Sequence, residues 1–307
     1  MPQIPTLRLG TRGSQLALAQ ARLVQTALAP HAACQIVTIK TAGDRIADRP
    51  LAQAGGKGLF VKELEEALLR GEIDLAVHSM KDLPPVLADG LSIIACLPRE
   101  DPSDAFLSPV SATLAALPKG ARIGTSSVRR QAQIRRARPD LEIMPLRGNV
   151  DTRLRKLQEG QYDAMLLALA GLKRLGLQHH ARQILPAGEW LPALAQGAIG
   201  VETRNGDRRA NDAVQHINDE TTAVAVACER GFSASLGGSC ASAMGGLATF
   251  ADGVLAFSGE VLAPDGSDAV TARFSQRLSG EARKDAERLG REAGRSIRPR
   301  VLSWLNG

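Results

Sequence analysis

Ile73-Asp74-Leu75-Ala76-Val77-His78-Ser79-Met80-Lys81-Asp82-Leu83-Pro84 is the stretch from which the organisation of the chain can be read. Its first residues alternate and then run apolar through Leu75, Ala76 and Val77, the pattern of a buried strand. A polar run from His78 to Asp82 follows, closed by Pro84 and Pro85. Ligands of open α/β sheets bind beyond the carboxyl ends of the strands. Asp82, an acid beside Lys81 at such an end, is therefore a candidate reaction centre.

Working outward, Val61–Arg70 is a predicted helix with Glu63, Glu65 and Glu66 in its first turns, where acids suit the helix dipole. Gly71 ends it. Before it, Ala54–Phe60 holds three glycines and Lys57 but lacks the spacing of a nucleotide-triphosphate loop. A flap over a ligand, carrying Lys57 and Phe60, and an ordinary connection both fit this composition. Nearer the start, a strand over Leu7–Gly10 leads through Thr11-Arg12-Gly13-Ser14 into a helix from Gln15 to about Ala29. Thr11 or Ser14 can cap that helix. Arg12 then sits at a helix end that favours anions, although an exposed loop arginine would read the same way.

The pattern recurs after Arg99–Phe106, which reads as a crossing into a new lobe. A strand over Ala121–Gly124 runs through Thr125-Ser126-Ser127 into a helix, Val128–Ala137, with Arg129 and Arg130 in its first turn. Two cations at the positive end of a helix cost stability unless an anion joins them. Leu141–Leu146 is a strand ending in Arg147-Gly148-Asn149, and the helix Asp151–Glu159 carries Arg153. Tyr162–Leu169 is a strong strand, followed by Lys173 and Arg174. Gly71-Glu72-Ile73-Asp74 in the first lobe answers Gly160-Gln161-Tyr162-Asp163 in the second. Two α/β lobes around a shared cleft are expected, each offering capped helix ends to an anion.

The remainder differs. A helix over Asp219–Leu236, the loop Gly237-Gly238-Ser239-Cys240, and strands at Ala243–Phe250, Val254–Leu262 and Ala269–Leu278 form an α+β domain with a three-stranded antiparallel sheet. Asp252-Gly253 and Asp265-Gly266 are hairpin signals. A final amphipathic helix spans about Gly280–Leu302. Expected boundaries are 1–98 with 195–215, then 99–194, then 216–307. Cys34, Cys96 and Cys228 lie in apolar runs and read as small buried residues. Cys240 sits among glycines and serine, where a thiol can serve as nucleophile or attachment point.

Composition narrows the function. The net charge is +6, with 38 basic residues of which 30 are arginine. Arginine binds carboxylate and phosphate bidentately, although a GC-rich genome also favours its codons. Aromatic residues make up 3% of the chain, too few for a stacking platform on single-stranded nucleic acid. No apolar run nears the ~20 residues of a membrane span, and the first residues lack the apolar core of a signal peptide. A cytoplasmic monomer is expected. The histidines and cysteines lack metal-site spacing, so no metal is expected.

Taken together, Thr11-Arg12-x-Ser14, Gly55-Gly56-Lys57-Gly58-Leu59-Phe60-Val61-Lys62-Glu63-Leu64, Ala76–Asp82, Gly124–Arg130, Leu146-Arg147-Gly148-Asn149-Val150 and Gly238-Ser239-Cys240 closely resemble the porphobilinogen deaminase (hydroxymethylbilane synthase) family across nearly the whole chain. The resemblance implies two periplasmic-binding-protein-like lobes and a third domain whose cysteine carries a dipyrromethane cofactor by a thioether. It implies a transferase of tetrapyrrole (heme and porphyrin) biosynthesis. Four porphobilinogen molecules would be condensed with loss of ammonia, and hydroxymethylbilane released by hydrolysis.

By position, Cys240 is implied as the attachment residue and Asp82 as the catalytic carboxylate. Arg12, Ser14, Lys81, Thr125, Ser127, Arg129, Arg130, Arg147, Arg153 and Arg174 are implied in cofactor and substrate binding. Lys57 and Phe60 fall in the mobile loop. The chemistry is consistent: the pyrrole acetates and propionates call for arginines and helix N-termini. The cationic azafulvene left by ammonia calls for one anion. Three positions depart from the family pattern: Gln53 stands where lysine is common, Ala195 where glycine is, and Ala243 where proline is. A solute receptor built on the same lobes is a second reading, and the missing signal peptide counts against it. Nucleic-acid binding through Ala121–Lys156, with ten basic residues against three acidic, is a third, weakened by the few aromatics.

Overall fold

The computed structural model describes residues 6–41, 61–237 and 242–305. Chain order opens with β1 (Thr6–Arg12), α1 (Gln15–Leu28), β2 (Ala33–Ile39), α2 (Lys62–Leu69), β3 (Leu75–Ser79), a 3-10 turn (Met80–Asp82) and β4 (Leu91–Cys96). It continues with β5 (Asp104–Leu107), β6 (Arg122–Gly124), α3 (Val128–Ala137), β7 (Glu142–Met144), α4 (Val150–Gln158), β8 (Ala164–Ala168), α5 (Leu169–Arg174) and β9 (Gln183–Leu185). It ends with β10 (Ile199–Arg204), α6 (Arg208–Val214), α7 (Glu220–Leu236), β11 (Met244–Ala251), β12 (Val254–Leu262), β13 (Ala269–Arg277) and α8 (Ala282–Leu305). The chain divides into two compact units, Met1–Glu100 with Ala198–Ala223, and Asp101–Gly197 with Val224–Gly307.

Each unit holds one five-stranded mixed sheet, ordered β2-β1-β3-β10-β4 in the first and β7-β6-β8-β5-β9 in the second. In the first, β1 runs parallel to β2 and β3, while β10 is antiparallel to both β3 and β4. In the second, β6 runs parallel to β7 and β8, while β5 is antiparallel to both β8 and β9. The two sheets are therefore built alike. Parallel strands covered on both faces need continuous apolar sequence, which Leu75-Ala76-Val77 and Ala164-Met165-Leu166 supply, all of them buried.

The repeat extends to single atoms. Asp74 accepts from the Arg8 backbone N–H at 2.8 Å, from Nε at 3.1 Å and from Nη2 at 3.0 Å. Asp163 accepts from the Arg122 backbone N–H at 2.7 Å, from Nε at 3.1 Å and from Nη2 at 3.0 Å. Each clamp ties the residue before the third strand to the first strand. Beside each lies a glycine that could not carry a side chain. A Cβ on Gly124 would stand 2.8 Å from Tyr162 Cδ1, and one on Gly10 would fall on Ile73 Cδ1. In each Gly-x-x-Asp the third residue, Ile73 or Tyr162, packs over a bare glycine of β1 or β6, while the leading glycine, Gly71 or Gly160, takes a positive φ of 70° or 72° after the helix.

The C-terminal segment of the second unit carries the expected antiparallel sheet, β11-β12-β13. Asp252 and Gly253 both have positive φ, 51° and 75°, as the tight hairpin between β11 and β12 requires. Phe232, Phe257 and Phe274 pack at ring separations of 5.0 and 5.6 Å inside it. α7 and α8 approach closely, since a Cβ on Gly290 would fall on the Cys228 backbone and one on Gly231 on the Glu287 backbone. The expected fold class is borne out: two α/β lobes and an α+β part with a three-stranded antiparallel sheet.

Three strands, β5, β9 and β10, differ from the sequence reading, which assigned no element over Gln183–Leu185. β5 lies in the stretch read as a crossing, and β10 follows a small-residue run to which no element was assigned. The expected strand Tyr162–Leu169 is shorter, Ala164–Ala168, and passes at once into α5. A continuous apolar run does not distinguish a buried strand from a buried helix. The Leu169 N–H bonds to the Ser103 carbonyl at 3.0 Å, one rung beyond the last β5–β8 pair, before the chain turns into α5.

The glycine packing gives a direct test. Gly10→Ala is expected to lower stability by about 1–3 kcal/mol through overpacking. Ile73→Val, which removes the Cδ1 atom, should recover part of that loss in the double variant. Chemical denaturation of the full chain measures the coupling; strict additivity would contradict it.

Candidate functional site

The Asp82 turn is held at His78, Ser79 and Met80. The Met80 N–H bonds to the Ala198 carbonyl at 3.1 Å, and the Leu83 N–H closes the turn on the Met80 carbonyl at 3.3 Å. Ser79 Oγ exchanges hydrogen bonds with the buried Gln20 amide of α1, at 2.8 and 3.1 Å. The buried Met80 side chain lies over Gly200 of β10, where a Cβ would fall on its sulfur. His78 Nε2 lies 2.9 Å from Glu202 Oε2, and both side chains are buried. Asp82 itself is exposed. Among the described residues no hydrogen bond or ion pair engages its carboxylate. Lys81 is half-buried beside it.

The predicted anion sites are built on helix starts. Of the two candidate caps for α1, Ser14 is the one used: its Oγ accepts the Ala17 N–H at 3.3 Å. Thr11 is fully buried and donates to the Ala17 carbonyl at 3.2 Å. Ser127 caps α3 by accepting the Arg130 N–H at 3.5 Å, and Thr125 Oγ1 accepts the Ser127 N–H at 3.2 Å. Asn149 caps α4, accepting from Thr152 N–H at 3.4 Å and from Thr152 Oγ1 at 2.8 Å. Gly148 precedes it at φ 109°, a conformation that suits glycine. Arg153 Nε donates to the Gly148 carbonyl at 2.7 Å, and Arg174 Nη2 to the Gly197 carbonyl at 2.6 Å. Arg12, Arg147, Arg153 and Arg174 are all half-buried.

Arg129 and Arg130 are placed differently from this group. Both are buried and turned onto Asp104, the first residue of β5. Arg130 Nη2 and Nε reach the carboxylate at 2.6 and 3.0 Å, and Arg129 Nη2 at 2.9 Å. Gln196 Nε2 donates to it at 2.8 Å and Trp190 Nε1 at 3.2 Å. Burial alone would raise the Asp104 carboxyl, but the two guanidinium groups overcome it and hold the group far below the usual carboxylate range. Burial lowers the Arg129 guanidinium while Asp104 opposes that shift. Arg129 is further bonded to Gln133 and to the Leu191 carbonyl, at 2.8 and 2.9 Å. The helix that offers Ser127 is thereby anchored to β5 and to the 190–196 segment.

Sequence reasoning missed Asp104, Gln196, Gln20 and Glu202. The available signal was a charged residue in an apolar strand, Asp104 before Ala105-Phe106-Leu107 and Glu202 within Ile199–Arg204. At the departures from the family pattern, Ala195 takes φ 60°, the left-handed region where glycine is at ease, and its N–H bonds to the buried Glu229 carboxylate. Ala243 is buried, and its carbonyl accepts the Leu262 N–H at 2.9 Å. Cys240, Lys57, Phe60 and Gln53 lie outside the described residues. Cys96 and Cys228 are buried and Cys34 half-buried, and desolvation pushes Cys34 up to about 11. No group of three or more potential metal ligands occurs among the described residues. No described helix is long and apolar enough to cross a membrane.

Comparison with known proteins adds independent findings. Residues 7–212 match the family model "Porphobilinogen deaminase, dipyromethane cofactor binding domain". Residues 223–298 match "Porphobilinogen deaminase, C-terminal domain". Porphobilinogen deaminase from Nitrobacter hamburgensis is 52% identical over 95% of this chain and 93% of its own length. The protein of that name from Nitrobacter winogradskyi is 50% identical with the same coverage. Among solved structures, a periplasmic substrate-binding protein of an ABC transporter from Coxiella burnetii aligns with 70% of this chain and 93% of its own, at 14% identity and a TM-score of 0.45.

The Asp104 cluster predicts a pH signature. Asp104→Asn leaves two buried guanidinium groups uncompensated and should cost about 3–5 kcal/mol at neutral pH. A depressed folded-state carboxyl contributes its stability above the unfolded value of ~4 and loses it as pH falls toward the folded one. The gap between wild type and Asp104→Asn should therefore narrow below pH ~4. Denaturation curves at neutral and acid pH decide it; a constant gap would contradict the charge assignment.

Proposed function

The chain belongs to the porphobilinogen deaminase family, and from that membership we propose that Asp82 is its catalytic carboxylate and Cys240 the residue that carries its dipyrromethane. The activity is that of a deaminating transferase in porphyrin and heme biosynthesis, which builds the linear tetrapyrrole hydroxymethylbilane from porphobilinogen with loss of ammonia.

The observation that carries the Asp82 assignment is a contrast within one turn. Ser79, Met80 and His78 are each held by a partner, while the Asp82 carboxylate is exposed and unengaged among the described residues. A rigid turn presenting an open acid is suited to accept pyrrole N–H bonds and to stabilise the positive charge left on the substrate methylene when ammonia departs. The same carboxylate can take the proton released as the pyrroles couple.

The donor set fits a polycarboxylated cofactor. Dipyrromethane supplies the primer to which the first substrate is joined. Its acetate and propionate groups match capped helix N-termini at Ser14, Ser127 and Asn149 and the arginines near them. In our reading Arg12, Ser14, Lys81, Thr125, Ser127, Arg147, Arg153 and Arg174 hold carboxylates. Arg129 and Arg130 serve the same site by holding the α3 start in place through Asp104. Lys57 and Phe60 belong to a loop over the site. We further read the chain as three domains, 1–98 with 195–215, 99–194 and 216–307, and the protein as a cytoplasmic monomer with reduced cysteines.

Two measurements test these roles. Intact-protein mass after expression in a porphobilinogen-producing cell should exceed the bare chain by one dipyrromethane, and Cys240→Ser should lose that increment. An unmodified wild-type mass would sink the attachment. Asp82→Asn should keep fold and cofactor mass but lose about 10²-fold or more in kcat. Near-normal consumption of porphobilinogen by that variant would refute the catalytic role.

A further inference from the structure

Directly behind the Asp82 turn lies a buried polar pair that the reaction does not use. His78 on β3 and Glu202 on β10 meet at 2.9 Å, with side chains 4% and 0% exposed. The pair is imperfectly satisfied: Glu202 Oε1 is buried with no hydrogen-bond partner. Glu65 of α2 also faces this pocket, and burial, then the Glu202 charge, raises its carboxyl. Glu65 is bonded to the Ala88 N–H at 3.4 Å. A buried pair with one oxygen unmatched and a second carboxylate nearby is a poor source of stability, because desolvation offsets most of the attraction. A better-attested use of such pairs is to specify register.

The strand pairing shows what would be specified. Gly200 stands opposite His78, and Glu202 opposite Ala76. His78 and Glu202 are therefore diagonal neighbours on one sheet face, within reach of long side chains. On that face, Met80 lies over Gly200, whose lack of a Cβ makes the contact possible. β10 is also irregular, with a register shift between Val201 and Glu202 in its pairing with β4. A strand with a shifted edge needs another constraint on its second edge, since a slip of one residue turns every side chain to the opposite face. Such a slip would also put a Cβ against the Met80 sulfur and lift the turn that bears Asp82.

We propose that His78 and Glu202 are positioning residues for the reaction: their bond sets the register of β10 against β3, which seats Met80 on Gly200 and so aims Asp82. This rests on the reading of Asp82 as the catalytic carboxylate.

The test compares Glu202→Gln, the double variant His78→Leu/Glu202→Leu and Gly200→Ala with Asp82→Asn. For each holoenzyme, kcat and KM for porphobilinogen, intact mass and denaturation midpoint are measured. Glu202→Gln keeps an acceptor for the imidazole N–H, so it should retain most of kcat. The double apolar variant should hold its fold and cofactor mass, yet lose kcat by about 10²-fold with KM little changed. Gly200→Ala, which leaves the pair intact and displaces Met80, should show the same split and decides the question if the double variant does not fold. Wild-type kcat in the double variant or in Gly200→Ala, beside an inactive Asp82→Asn, overturns the proposal. So does a loss in Glu202→Gln as large as that in the double variant. Near-normal turnover in Asp82→Asn strikes the catalytic reading instead.

Discussion

The carboxylate of Asp104 is the interaction on which the second unit depends. Two guanidinium groups, an amide and an indole N–H converge on its two oxygens. The donors come from two stretches, Arg129 and Arg130 from α3 and Trp190 and Gln196 from the segment leading to β10, with Asp104 itself opening β5. A buried charge is tolerable only when its hydrogen-bonding capacity is met. Meeting it here forces the antiparallel strand, the helix start at Ser127 and the 190–196 segment into one arrangement. The Ser127 cap is thereby fixed to β5 through Arg129 and Arg130.

The two lobes reach the same sheet by the same local devices. Arg8–Asp74 and Arg122–Asp163 are superimposable in pattern, down to the backbone N–H that joins each guanidinium on the carboxylate. Gly10 and Gly124 make room for Ile73 and Tyr162. In both sheets the fourth strand in spatial order runs against the other four and arrives from the far side of a chain crossing. The clamp accounts for the recurring aspartate, and the positive φ of Gly71 and Gly160 for the recurring glycine three residues before it.

Charge is divided by depth as well as by sign. Arg12, Arg147 and Arg153 are half-buried near helix starts, the clamp residues Arg8 and Arg122 are half-buried too, and Arg129 and Arg130, bound to Asp104, are buried. Asp82 and Lys81 are adjacent in sequence and opposite in charge, the acid exposed and the lysine half-buried. The turn between β3 and Pro84 can hold both because its own backbone is satisfied by Ala198 and Met80.

What the sequence by itself determined is what depends on neighbours along the chain. The caps at Ser14, Ser127 and Asn149, the helix stops at Gly71 and Gly160, the hairpin at Asp252-Gly253 and the open acid at a strand end are each set within a few residues. Family resemblance was legible for the same reason, since its motifs are turns and helix starts. Tertiary structure alone decided which of the basic residues face inward. Arg129 and Arg130 look like Arg12 and Arg147 in sequence, and only the return of Asp104, 25 residues earlier in the chain, separates them. It likewise decided β5, β10 and the His78–Glu202 pair, 124 residues apart. The physical reason is that a short antiparallel strand takes its stability, and a buried acid its partners, from segments far away in sequence, so neither leaves a periodic trace in its own stretch.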